Sequence, residues 1–120
     1  GLRNNTINAG DIKDYKNFEV KETESGQAFE LMKESWILFE NIDLTDITSI
    51  KINGNISNGV IDTELKLDDL NGKTIGKSSN SLIPIDNITD GKFHNLYIVI
   101  KRSPTWSNQI LINSITFKSL

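Results

Sequence analysis

The chain has 120 residues, of which 24% are charged and 37% hydrophobic, and a formal net charge of −3. This length and composition indicate one globular domain that buries about two thirds of its unfolded surface. The negative charge argues against nucleic acid and anionic membranes as partners, and no apolar stretch approaches the roughly 18 residues of a membrane span. Without cysteine, the chain has neither disulfides nor thiol chemistry.

The N-terminal residues resemble a linker, because the chain begins with Gly1 rather than methionine. We therefore expect a single domain spanning residues 1–120, excised from a larger protein, with residues 1–5 as linker. Residues 26–33 are the only segment compatible with a short helix, and we do not favour a helix there.

Strand patterns follow one another at intervals of about ten residues, separated by Asn, Gly, Asp and Ser, which is typical of an all-β sandwich. We predict strands at residues 35–39, 47–52, 63–67, 82–88, 95–101 and 109–117. Pro84 makes the fourth of these an edge strand. Asn71 and Gly72 predict a hairpin turn, since both tolerate positive φ. The N- and C-terminal segments should lie side by side, because terminal strands of a sandwich need partners.

The chain offers few residues for catalysis. The single histidine, His94, opens an apolar strand and is expected to be a hydrogen-bonded structural residue. Two carboxylate pairs are candidates for glycoside hydrolysis, Asp68 with Asp69 and Glu22 with Glu24. The first pair flanks the predicted turn, where aspartate caps the backbone. We therefore expect no catalytic residue and no enzymatic activity.

A sugar-binding site is the more plausible chemistry. A pyranose has an apolar C–H face and a rim of hydroxyls, so its site combines exposed aromatic rings with Asn, Gln, Asp or Glu side chains. Trp36, Phe93, Tyr97 and Phe117 lie within strand patterns and are assigned to the core. Trp106 lies in a polar loop beside a proline, where the indole either folds onto the end of the sandwich or forms a stacking platform.

Four segments, in order, resemble carbohydrate-binding module family 6. They are SWILFENID (35–43), TELKLD followed by GKTIG (63–76), GKFHNLYIVI (91–100) and NSITF (113–117). In the first, the tryptophan, the asparagine and the apolar-Asp pair match, and Phe39 stands at the tyrosine position. The last keeps only the asparagine and the phenylalanine. The resemblance covers most of the chain from Trp36 onward and implies a two-sheet antiparallel jelly-roll β-sandwich.

The resemblance also implies a ligand site in the loops at one end of the sandwich. Carried over, the tyrosine position is Phe39, the amide of the last strand is Asn113, and the acidic residue falls near Glu22 or Glu24. The segment with the family's tryptophan is shortened here and has no aromatic residue, so we infer that Trp106 from a neighbouring loop replaces it. We expect Trp106 and Asn113 in one cleft, with Phe39 at its floor.

The family often carries a structural calcium held by an N-terminal Glu-Ala-Glu and an Asp of the last strand. Here these positions are Asn8, Ala9, Gly10 and Ile115. Calcium requires several oxygen ligands, usually including carboxylates. Asp11 is the one candidate replacement, and we expect no cofactor and no metal.

These inferences predict a non-catalytic carbohydrate-binding module, secreted or periplasmic in a bacterium. It would hold a catalytic domain of the same parent chain on a polysaccharide or oligosaccharide. The alternative is a structural or interaction domain of the same fold that has lost sugar binding. An esterase or glycosidase is a third class, which the few catalytic residues disfavour. Exposure of Trp106 next to Asn113 would favour binding, and burial of both would favour the structural role.

Overall fold

The computed structural model describes residues 4–120. Within them the chain forms nine strands and one short 3-10 turn, Ala9–Asp11. The strands are β1 (Asn5–Asn8), β2 (Asp14–Thr23), β3 (Gly26–Ile42), β4 (Ile47–Gly54), β5 (Ile61–Leu67), β6 (Thr74–Ser78), β7 (Leu82–Pro84), β8 (His94–Arg102) and β9 (Leu111–Ser119). The described part of the chain contains no helix with the length and hydrophobicity that crossing a membrane requires.

The strands pair antiparallel in the order β6-β5-β8-β3-β9-β4-β7, with β1 on β9 and β2 on β3. The long β3 connects the two layers, because its first half pairs with β9 and its second half pairs with β8. The two outermost strands of this order, β6 and β7, approach each other. The N–H of Asp86, just after β7, donates to the Ile75 carbonyl of β6 at 2.7 Å. The predicted all-β antiparallel jelly-roll sandwich is confirmed.

The core lies between the layers and is filled mainly by alternating residues of the central strands. In β8, Leu96, Ile98 and Ile100 are fully buried, whereas the residues between them face outward. Phe117 of β9 is also fully buried, as predicted. Each such side chain contributes roughly 1.5–3 kcal/mol on burial, so the sandwich is stable without disulfides.

The N-terminal segment joins the sandwich earlier than predicted. Asn5 pairs with Phe117 at the start of β1, so assigning residue 5 to a linker is wrong. Residues 1–3 of the expected linker lie outside the described residues. The antiparallel pairing of β1 with β9 confirms that the two terminal segments lie side by side.

Residues 26–33 belong to β3, so the helical alternative is wrong and the first half of this long strand was not predicted. Phe29 and Leu31 are both buried at the period of a strand. Phe29 pairs with Val20 on one side and with Ile112 on the other. Partners on both sides stabilise the extended backbone.

The predicted hairpin forms between β5 and β6, with a different residue in the left-handed conformation. Asp68 has the positive φ, 67°, whereas Asn71 and Gly72 do not. Glycine is needed at 72 because a Cβ there would overlap the Leu67 carbonyl oxygen. Asp69 caps the turn, since its Oδ1 accepts the Asn71 N–H at 2.8 Å. We call residues 68–73 the 68–73 turn.

Candidate functional site

Trp36 is half-buried on the outward face of β3, so its assignment to the core is wrong. Its neighbours Ser35 and Ile37 are both fully buried, and successive residues of a strand face opposite sides. Tyr97 of β8 is half-buried in the same way, and Phe93 is 65% exposed in the segment before β8. The alternation of a strand was recognised in the sequence, but the direction of the tryptophan was not.

A bulge between β2 and β3 fixes the backbone beside Trp36. Asn17 adopts a φ of 64°, which asparagine tolerates better than most residues. Its carbonyl accepts the Ser35 Oγ hydrogen bond at 2.6 Å, and its Nδ2 donates to the Glu34 carbonyl at 3.2 Å. These two bonds hold the β3 backbone immediately before Trp36.

The strand register aligns outward-facing side chains in rows across four strands. The central row consists of Lys16, Trp36, Val99 and Glu64. The next row contains Leu38, Tyr97 and Lys66. The rings of Trp36 and Tyr97 lie 5.4 Å apart, edge to face at 72°. Solvent-facing sides of antiparallel sheets are usually polar, so a pair of half-exposed aromatic rings here is a departure from that pattern.

The central row and Lys66 of the next row line a groove of about 460 Å³, which we call the Trp36 groove. It is lined by Lys16, Asn17, Glu34, Trp36, Glu64, Lys66, Leu70, Asn71, Val99 and Lys101. Lys66 pairs with Glu64 at 3.3 Å, and Lys101 lies 4.0 Å from Glu34. The Lys101 pair is exposed and contributes little to stability. Lys66 is more covered and also donates a hydrogen bond to the Thr74 hydroxyl.

Trp106 lines a different depression of about 480 Å³, the Trp106 cavity, formed by the loop after β8 and by residues 30–33 of β3. The indole is half-buried against the core, and its Nε1 is enclosed without a hydrogen-bond partner among residues 4–120. Arg102 fixes this loop by donating to the carbonyls of Trp106, Asn108 and Leu31 at 3.1, 2.6 and 3.1 Å. The Trp106 ring is therefore only partly exposed to solvent.

The structure does not assemble the predicted cleft. Asn113 is exposed on β9 but does not line the Trp106 cavity. Phe39 pairs with Leu96 in the second half of β3 and packs edge to face on Phe117, with ring centroids 5.2 Å apart. Phe39 therefore does not line the Trp106 cavity, which uses residues 30–33 of the same strand, and the loop-end site stays a prediction.

The two predicted acidic residues lie at the hairpin between β2 and β3. Glu22 is exposed, and its Oε1 accepts the Gln27 Nε2 hydrogen bond at 2.9 Å. Glu24 is exposed in the turn itself. Neither lines the Trp36 groove or the Trp106 cavity. The structure therefore separates the acidic residues from both aromatic surfaces.

Comparison with known proteins shows where this architecture occurs. The sequence matches no family model and no curated protein sequence. Solved structures do match. A family 6 carbohydrate-binding module from Clostridium stercorarium in complex with cellobiose superposes with a TM-score of 0.67 at 15% identity, covering 100% of this chain and 98% of that chain. A β-1,3-glucan binding module of the same family from Bacillus halodurans gives 0.71 at 17% identity, covering 99% and 100%.

The chain has the fold of a family 6 carbohydrate-binding module. The same fold also matches part of a longer enzyme. A family 43 arabinoxylan arabinofuranohydrolase from Bacillus subtilis, in complex with cellotetraose, superposes with a TM-score of 0.66 at 18% identity. That match covers 97% of this chain and 27% of the enzyme. The resemblance noted in the sequence is thus confirmed at the level of the fold.

The calcium position implied by the family 6 resemblance does not fit calcium in this chain. Ala9 and Ile115 are buried apolar residues, and Asn8 and Gly10 carry no carboxylate. Asp11 alone offers one, whereas calcium takes several oxygen ligands. Among residues 4–120, no three His, Cys, Asp or Glu side chains come close enough to hold a metal ion.

His94 of this family 6 fold is hydrogen-bonded and structural, as predicted. It is 8% exposed, and its Nδ1 and Nε2 lie 2.9 and 2.8 Å from carboxylate oxygens of Asp68 and Asp90. The pKa of His94 is raised above its ordinary value, chiefly by the hydrogen bond with Asp68 and also by the bond with Asp90. Burial of the ring acts in the opposite direction and lowers the pKa. An imidazolium that donates from both nitrogens has no lone pair with which to act as a base.

Proposed function

We propose that the chain is a non-catalytic carbohydrate-binding module and that the Trp36 groove holds its glycan. The observation that carries this proposal is the outward orientation of Trp36 and Tyr97, in the middle of a sheet face and within reach of charged side chains. In a structural sandwich domain, half-exposed aromatic rings in that position would contribute only modest cross-strand stabilisation.

The groove supplies the interactions that a sugar requires. The Trp36 ring offers an apolar surface for the C–H face of a pyranose. The carboxylates of Glu34 and Glu64 accept hydrogen bonds from hydroxyls, and the ammonium groups of Lys66 and Lys101 donate to hydroxyl oxygens. The central row crosses four strands, about 14 Å at the usual strand spacing. That length exceeds one pyranose ring, so we propose an oligosaccharide segment as ligand.

The structural neighbours support a glucose-based ligand and an enzyme partner. Two of them are described with cellobiose and with a β-1,3-glucan. A third is a glycoside hydrolase, and its match to this chain covers 27% of the hydrolase. We propose that this module likewise holds an attached catalytic domain on its substrate, outside the bacterial cytoplasm, in the periplasm or the medium.

Titration calorimetry with cellotetraose and a β-1,3-gluco-oligosaccharide tests the site. We expect wild-type affinity no better than about micromolar, near −8 kcal/mol. Trp36→Ala should abolish measurable binding, whereas Trp36→Phe should retain part of it because a ring remains. Trp106→Ala is the matched control, since it removes the other tryptophan from a different depression. Circular dichroism spectra should show that all three variants fold.

The loop-end site predicted from the sequence stays a prediction that the same titration decides. If Trp106→Ala and Asn113→Ala lose binding while Trp36→Ala keeps it, the loop end is the site and the groove is not. If the wild type binds nothing on a broad glycan array, the structural alternative replaces glycan binding. The half-buried indole of Trp106 is the observation that favours this alternative at the loop end.

A further inference from the structure

An ionic cluster, in which the histidine is buried and both carboxylates are partly exposed, lies at one end of the turn that lines the Trp36 groove. We define the His94 cluster as His94 with its two carboxylate partners, Asp68 and Asp90. Asp68 is the first residue of the 68–73 turn, and the same turn places Leu70 and Asn71 in the lining of the groove. One end of the turn therefore contacts the histidine and its middle contacts the proposed ligand site.

Asp68 is held by both of its carboxylate oxygens and by its backbone. Oδ2 contacts His94 at 2.9 Å, and Oδ1 accepts the Asn95 N–H at 3.0 Å. The Asp68 N–H donates to the Asn95 carbonyl at 2.7 Å. Its φ of 67° is a left-handed conformation that costs free energy for a residue other than glycine. The hydrogen bonds to β8 compensate for this strain, and the bond to His94 is the one among them that depends on pH.

We propose that the protonated form of His94 keeps the 68–73 turn against the Trp36 groove, and that glycan binding weakens when His94 loses its proton. The effect on binding rests on the proposed function; the effect on the turn does not.

The geometry favours a doubly protonated ring. Both nitrogens face carboxylate oxygens, and a neutral imidazole carries only one N–H. Deprotonation therefore leaves either Asp68 or Asp90 facing a lone pair, and the contact with Asp68 is lost in part of the molecules. The apparent dissociation constant is inversely proportional to the fraction of molecules whose binding site is competent. If the 68–73 turn lies against the groove in one third of the molecules, binding is therefore weakened about threefold.

The charges around the ring set the direction of the change. Asp68 belongs to the turn, Asp90 and Lys92 belong to the segment before β8, and Asp43 belongs to the corner after β3. The pKa of His94 is raised above 6.5, so the proton is held below that value and lost as the pH rises through the higher folded pKa. The pKa values of Asp68 and Asp90 are lowered, so both remain ionised across this range.

An NMR titration of the wild-type protein between pH 5.5 and 9 tests the turn without any ligand. The backbone amides of Leu70 and Asn71 should shift with the same midpoint as the His94 ring. Asp90→Asn should move that midpoint to lower pH, because one stabilising carboxylate is removed. Asp86→Asn, which removes a charge from the same segment without contacting His94, should leave it unchanged.

Calorimetry with cellotetraose and a β-1,3-gluco-oligosaccharide at pH 6 and at a pH above the measured midpoint tests the effect on binding. We expect about threefold weaker binding above the midpoint. His94→Gln should bind weakly at both pH values, and Asp86→Asn should behave as wild type. If the turn amides do not follow the His94 ring, the proposal is wrong whatever the glycan result. If they follow it while the wild-type affinity stays constant, the control of binding is wrong and glycan binding stands. If no glycan binds and the amides follow the ring, the proposed function fails and the control of the turn is supported.

Discussion

Truncating Trp36 to alanine should destabilise the fold much less than truncating Phe117. Phe117 is fully buried between the layers, where removal of a large aromatic ring costs about 3–5 kcal/mol in free energy of unfolding. Trp36 is half-buried on the outer face, and its removal opens a surface depression rather than an enclosed cavity. We expect Trp36→Ala to lower the free energy of unfolding by about 1–2 kcal/mol. Only part of the transfer free energy of the side chain is lost, and no enclosed cavity adds to the cost. Had Trp36 been a core residue, as its sequence pattern suggested, its cost would equal that of Phe117.

Urea denaturation followed by circular dichroism measures this difference. With a slope of roughly 1.5 kcal/mol per molar urea, the midpoint should fall by about 1 M for Trp36→Ala and about 2–3 M for Phe117→Ala. Trp36→Phe should lie close to wild type, because the ring still covers Val99 and Tyr97. Equal shifts for the two alanine variants would refute the outward orientation of Trp36 and with it the groove. An unchanged slope in both variants is required for the comparison.

Three further predictions concern metal, catalysis and the 68–73 turn. Chelation should move the melting temperature by less than about 2 °C, which corresponds to a change of less than about 0.5 kcal/mol in the free energy of unfolding; a rise of many degrees on adding calcium would reveal a metal site. No reducing sugar should be released from a panel of polysaccharides, and release abolished by Asp68→Ala would contradict the non-catalytic assignment. Gly72→Ala should destabilise the protein, because the new methyl group overlaps the Leu67 carbonyl oxygen; an unchanged melting temperature would show that the turn relaxes.

The melting temperature should also depend on pH in both directions. Asp68 and Asp90 have lowered pKa values, so their stabilisation is present above 3.8 and lost as the pH falls through the folded values. His94 has a raised pKa, so its stabilisation is present below 6.5 and lost as the pH rises through the folded value. Thermal melts at constant ionic strength should show a maximum between these limits, and His94→Gln should remove the alkaline decline. An alkaline decline that persists in His94→Gln would show that other groups cause it.

Local patterns in the sequence predicted the strands and the turn well. The alternation in β5 and β8 and the Asn71-Gly72 hairpin each depend on neighbouring residues only. The positive φ at Asp68 was not predictable, because it is stabilised by Asn95 and His94, which lie more than twenty positions away. Likewise, the strand at residues 26–33 was ambiguous from sequence, since its conformation is set by pairing with β2 and β9.

The candidate site was harder to predict because a strand's alternation does not state which face is buried. Residues 35–39 contain apolar side chains on both faces, Trp36 and Leu38 on one and Ile37 and Phe39 on the other. A rule that places the largest aromatic residue in the core therefore selects the wrong face. The sequence did contain one usable signal. Ser35 and Ile37 share a face, and Glu34 and Trp36 share the other, so a charged residue two positions before the tryptophan indicates the solvent side.

The same parity argument identifies the groove across the neighbouring strands. In β5, Glu64 and Lys66 alternate with buried Leu65, and in β8, Val99 and Lys101 alternate with buried Ile98 and Ile100. Residues that pair across neighbouring strands point to the same side of the sheet. Once the register between the strands is known, the charged residues of β5 and the tryptophan of β3 must therefore share one face. The position of Trp36 beside the ionic rim of the groove is therefore a consequence of register, which is a long-range property that reading each strand by itself does not supply.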